Sequence, residues 1–121
     1  MLLTEEQKKK IAWERARKID GYDADMFRKD ACGAWIMWNQ YGNQDNSFGW
    51  EVDHILPKGK GGPDIADNLR ALQHQNNASK GDDYPSYTAV VEAEGTHNVR
   101  SVRNLTINRQ ARERLKKFEK F

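Results

Sequence analysis

With 121 residues, 31% of them charged and 37% hydrophobic, the chain has room for one domain and holds no apolar run near the roughly 20 residues of a membrane span. Its start, MLLTEEQKKKIAWERARK, puts charge where an export signal needs a continuous apolar stretch, and its single cysteine, Cys32, excludes an intramolecular disulfide, so a reducing cytoplasmic location is expected. The net charge of +2 conceals an asymmetry: residues 1–20 and 97–121 are basic and the stretch between them is acidic, which suits phosphate contacts at the ends and a cation in the middle.

Thr4-Glu5-Glu6-Gln7 has the form of a capping box and predicts a helix running to about Ile19, with Ala12, Trp13, Ala16 and Ile19 as its apolar stripe. ACGAWIMWNQYG (31–42) reads as a buried strand or turn-strand unit, and NQDNS (43–47) as a loop. A strand is expected over Trp50–Ile55, then a long Gly/Pro/Asp loop over 57–67 and a short strand at NLRALQ (68–73). HQNNASK (74–80) reads as a short helix closed by Gly81. Tyr87–Glu94 and Asn98–Ile107 are expected to pair as a hairpin, and Asn108 to cap a last helix with Ala111, Leu115 and Phe118 on one face.

Chemistry concentrates in the middle of the chain. An adjacent Asp53-His54 pair ends the second predicted strand, Asn68 follows His54 by fourteen residues, and Asn77 follows Asn68 by nine. Over GWEVDHILPKGKGGPDIADNLRALQHQNNASKGD (49–82) this order of Asp-His, Pro, Gly-Gly, Asn-Leu and Asn-x-x-Lys-Gly resembles the HNH nuclease family, whose core is a ββα-metal finger. The upstream segment FRKDACGAWIMWNQYGN extends the resemblance to a subset of small bacterial HNH proteins. It implies an α+β fold: an HNH core over 27–82, an N-terminal helix and connection over 1–26, and a hairpin with a basic helix over 83–121.

The resemblance implies a metal-dependent endonuclease. His54 would be the general base, since an imidazole near pKa ~6.5 is substantially neutral at pH 7. Asp53 and Asn77 would hold a divalent ion, and their hard oxygens favour Mg²⁺ (or Mn²⁺) over tightly held Zn²⁺. Asn68 would tie the long loop to the finger and position His54. Lys80, one helical turn past Asn77, and Arg70 are expected to contact phosphate, as are Arg109, Arg112 and Lys116 of the basic C-terminus. His74 stays outside the catalytic set. The positions that carry a structural four-cysteine zinc in many such proteins correspond here to Lys29, Cys32, Gln73 and Asn76, so that zinc is not expected. Double-stranded DNA is the expected substrate, nicked with low sequence preference. The rival readings are a DNA- or RNA-binding module that keeps the finger without cutting, and an interaction protein using it as a scaffold.

Overall fold

In the computed structural model, which describes residues 2–120, Thr4 opens helix α1 (Glu5–Glu14) with both halves of the capping box in place: Thr4 Oγ1 accepts from Gln7 N and Gln7 Oε1 accepts from Thr4 N. The helix stops five residues short of Ile19. Arg17 instead pairs as extended backbone with Lys29, exchanging hydrogen bonds of 2.8 and 2.9 Å, and this competing partner ends the helical run. Strands β1 (Phe27–Lys29) and β2 (Trp35–Met37) form a small antiparallel pair, so the expected turn-strand unit begins four residues before Ala31.

Strands β3 (Trp50–His54) and β4 (Leu69–Gln73) pair antiparallel, and helix α2 (His74–Lys80) follows β4 without a linking residue. Gln73 makes that abrupt change possible, because its side-chain oxygen accepts from the amides of Gln75 and Asn76 as the N-cap. Strands β5 (Ser86–Glu94) and β6 (His97–Thr106) form a hairpin whose two-residue turn starts at Gly95, at φ 60°. Helix α3 (Arg109–Leu115), capped by Asn108 through Ala111 N, closes the fold. The described residues are α+β: three α-helices and three separate two-stranded antiparallel sheets.

Two apolar clusters flank the β3–β4 pair. On one side Ala12, Trp13 and Ala16 of α1 pack with Ile36, Trp50 and Ala71. The rings of Trp13, Trp38 and Trp50 lie 5.3–5.9 Å apart. On the other side Ile55, Leu56 and Leu72 pack with Tyr87, Ala89, Ile107, Ala111 and Leu115. The terminal helix and the hairpin are thus part of the core that carries the middle segment.

Asp30 connects the β1–β2 unit to the β4–α2 junction. Its buried carboxylate accepts four N–H groups: Cys32 N and Ala34 N on Oδ1, Gln73 N and Asn76 Nδ2 on Oδ2, at 2.8–3.2 Å. Burial raises its pKa, against the pull of those four donors. Asn76 continues the link. Its Oδ1 accepts from both Val90 N and Val91 N, where the β5–β6 register shifts between Ala89 and Val91.

Candidate functional site

The β3–β4 ladder stays in register to its end, with Asp53 opposite Arg70 and His54 opposite Leu69. No bulge therefore rotates Asp53 and His54 toward each other, and the side chains of neighbouring strand residues leave on opposite faces. Their partners agree. Asp53 meets Lys80 of α2, whereas His54 meets Asp64, which is held in turn by Lys8 of α1. The resemblance has His54 and an ion on Asp53 act on one phosphate, which calls for the two side chains to converge; the regular ladder sends them to opposite faces instead.

Beyond His54 the loop doubles back. Gly62 N donates to Pro57 O, and a Cβ on Gly62 would lie 1.7 Å from the Leu56 carbonyl oxygen, so only glycine lets the backbone pass this close. Asn68 is fully buried and secures the return: its Oδ1 accepts from Leu56 N at 2.8 Å, and its Nδ2 donates to Leu56 O and Pro63 O at 3.0 Å. The fold-back places Asp64 over β3, where its Oδ1 lies 2.5 Å from His54 Nε2. His54 and Lys8 hold the Asp64 carboxyl down at about 2, with Lys58 3.7 Å away adding to the effect. Asp64 was not singled out in the sequence; the only cue was its place in the Gly-Gly-Pro-Asp turn that brings it back.

On the α2 side, Asp53 is 5% exposed and both of its oxygens are engaged: Oδ2 by Arg70 Nε at 2.9 Å and Oδ1 by Lys80 Nζ at 3.3 Å. Lys80 also donates to the His54 carbonyl at 3.1 Å. Its side chain has no exposed surface, so it points into the fold rather than out to a phosphate. Residues three apart on a helix share a face, and that face of α2 packs on β3. Burial lowers the Lys80 pKa against the attraction of Asp53. For Arg70 burial also disfavours the charge, but Asp53 and Tyr87 together outweigh it and the net shift is upward.

Asn77 is half-buried beside this pair and donates from Nδ2 to Glu51 Oε1 at 2.9 Å, while Gln44 donates to Glu51 Oε2. Glu51 stands two residues before Asp53 on the same face of β3, the face toward α2, and Asn77 of α2 bonds to Glu51 there. Their chemistry suits a hard divalent ion. Among the described residues no three His, Cys, Asp or Glu side chains cluster as a metal site, and the amide of Asn77 is part of any set drawn here. An ion on Asp53 would take the place now held by Lys80 or Arg70.

The remaining residues lie apart from this centre. Arg109, Arg112 and Lys116 project outward from α3 and the turn after it, Arg109 toward Glu113 at 3.0 Å. His74 Nε2 lies 3.1 Å from the Asn46 carbonyl, facing the 43–47 loop. Cys32 is buried, and burial and Asp30 push its thiol up to about 12. No protein-family model, curated protein or solved structure matches this chain.

Proposed function

We propose that the protein is a metal-dependent endonuclease of the HNH type that hydrolyses DNA phosphodiester bonds, nicking duplex DNA with little sequence preference. The observation that supports this most is the His54–Asp64 contact of 2.5 Å at the end of a strand-strand-helix unit that also bears Asp53 and Asn77. A carboxylate on one imidazole nitrogen sets the ring's orientation and tautomer, as a general base requires. With Nε2–H on Asp64, His54 Nδ1 takes a proton from water. The water oxygen then bonds to phosphorus in line with the departing 3′ oxygen, whose bond breaks and which takes a proton from solvent, leaving a 5′-phosphate and a 3′-hydroxyl. A divalent ion on Asp53 and Asn77, Mg²⁺ or Mn²⁺, would supply charge neutralisation at the phosphate oxygens.

His54 and Asp53 leave β3 on opposite faces, so a phosphate shared between them approaches at the strand end, where Leu56 and the fold-back loop begin. Arg109, Arg112 and Lys116 supply exposed positive charge for the DNA backbone, with affinity that falls as salt rises. A second reading, a DNA- or RNA-binding module that does not cut, is favoured by one observation: Lys80 and Arg70 already saturate Asp53.

A supercoiled-plasmid assay with Mg²⁺ separates the two. The nuclease produces nicked circles, and both EDTA and His54→Ala abolish them. A gel shift without nicking assigns the binding module instead. Equal nicking by His54→Ala and the parent would overturn the role given to His54.

A further inference from the structure

Between the C-terminal end of α1, β4, the end of β6 and the start of α3 lies a cleft of about 510 Å³, on which three arginines converge: Arg15, Arg70 and Arg114. No carboxylate stands among its described lining residues, although the chain carries 18 Asp and Glu. Arg15 and Arg114 are exposed, and neither makes an ion pair with a described residue. Arg70 is different: it forms part of the wall while its Nε holds Asp53 at 2.9 Å. Asn108 and Gln110 add polar side chains, and Tyr87 and Leu105 add apolar surface.

We propose that this cleft is a binding site for a nucleotide-sized ligand bearing a phosphate group. Arg15 and Arg114 carry charge that no lining carboxylate offsets, and an anion within the cleft relieves their repulsion, whereas Arg70 is already paired with Asp53. Low-dielectric walls focus their common field inward. Guanidinium forks match phosphate oxygens with paired hydrogen bonds. The volume far exceeds a bare phosphate and lies in the range of small-molecule sites, roughly 300–1,000 Å³. The Tyr87–Leu105 wall supplies the contact a sugar or base would use. The phosphate belongs either to a free nucleotide or to a nucleic-acid strand. The cleft adjoins the candidate site through Ile55 and Arg70, but it contains neither His54 nor Asp64 and does not depend on the nuclease reading.

The test is a calorimetric titration of the full chain in EDTA, so that no cleavage occurs. The probes are inorganic phosphate, dAMP, deoxyadenosine, and a short single strand with and without a 5′-phosphate. We expect dAMP to bind and deoxyadenosine to bind at least tenfold more weakly. Binding of dAMP together with only the 5′-phosphorylated strand identifies a terminal phosphate. Binding of dAMP alone identifies a free nucleotide, and binding of both strands alone identifies backbone phosphates. The double variant Arg15→Gln/Arg114→Gln, at two exposed positions, weakens the bound phosphate ligand at least tenfold. The charge-matched Lys18→Gln/Arg100→Gln, outside the cleft, changes it less than twofold. Arg70 is left intact because its loss would also unpair Asp53. The proposal falls if no phosphate-bearing probe binds, or if the two double variants lose affinity equally. Phosphate binding without plasmid nicking would leave the site standing and remove the nuclease reading; nicking without phosphate binding would do the reverse.

Discussion

His54 Nε2 and Asp64 Oδ1 lie 2.5 Å apart across a ten-residue loop that folds back on its own strand. The contact depends on Gly62 passing against the Leu56 carbonyl and on Asn68 bonding both ends of the loop. Imidazole chemistry and loop architecture are therefore one unit, and substitutions in either should act on both.

Asp64→Asn keeps the shape of the side chain but removes the charge that orients His54. Plasmid nicking should fall by roughly 10- to 100-fold, against roughly 10²- to 10⁴-fold for His54→Ala, the usual range for a general base. Nicking rates with Mg²⁺, read alongside circular dichroism, check the ordering; a greater loss in Asp64→Asn than in His54→Ala would contradict it.

The same pair predicts an acid response. Asp64 is lowered from its ordinary 3.8 to about 2, so its ionised form is favoured in the folded state. This contribution is full above about pH 4 and is lost as pH falls through about 2. Solvent reaches Asp64, so the effect is small, but the acid-unfolding curves of parent and Asp64→Asn should converge at the low end of that window. Curves that stay a constant distance apart would show that the pair contributes nothing.

Asp53 and its two cations form the most buried ionic cluster of the site. Replacing Asp53 by Asn strands the fully buried Lys80 ammonium and should cost about 3–5 kcal/mol in urea unfolding. Asp53→Asn/Lys80→Met should recover part of that loss, because the Lys80 charge leaves with that of Asp53 while the Arg70 guanidinium stays without its carboxylate. Lys80→Met alone leaves Asp53 to Arg70 and opens Oδ1. Mn²⁺ binding, followed by the enhancement of the water-proton relaxation rate, should then tighten relative to the parent. Unchanged Mn²⁺ affinity would detach the metal from Asp53.

Asp30 bonds to three residues, Cys32, Gln73 and Asn76, whose positions the resemblance would assign to a structural zinc. One carboxylate joins Cys32 N, Ala34 N, Gln73 N and Asn76 Nδ2, so the two segments are fastened by hydrogen bonds. Asp30→Ala leaves these buried donors without an acceptor and should cost at least about 3 kcal/mol, since each unmet buried group costs about 1–3. Chemical denaturation measures it, and a loss under 1 kcal/mol would show that the junction holds without Asp30.

Cys32 should be inert in the folded protein. Its thiol is buried and its pKa is pushed up to about 12, so almost no thiolate exists at pH 8. A thiol-reactive dye should label it only at the rate of unfolding and quickly in guanidinium. Fast labelling of the native protein would contradict its placement.

The local elements were legible in the sequence because each rests on short-range chemistry. The Thr4–Gln7 box, the turn between β5 and β6 and the Asn108 cap all involve residues a few positions apart. The Asp53–His54 pair and the two asparagines were equally visible as a spacing. What the sequence could not convey was which group meets which. Asp64 reaches His54 only because the loop returns, and Asp30 reaches Gln73 only because β1–β2 docks on β4–α2. Lys80, written beside a glycine like any surface lysine, is drawn inward because α2 lies on β3 with Asp53 beneath it. Long-range pairing chooses partners by which faces pack together, and a strand's period of two then decides which neighbours part company.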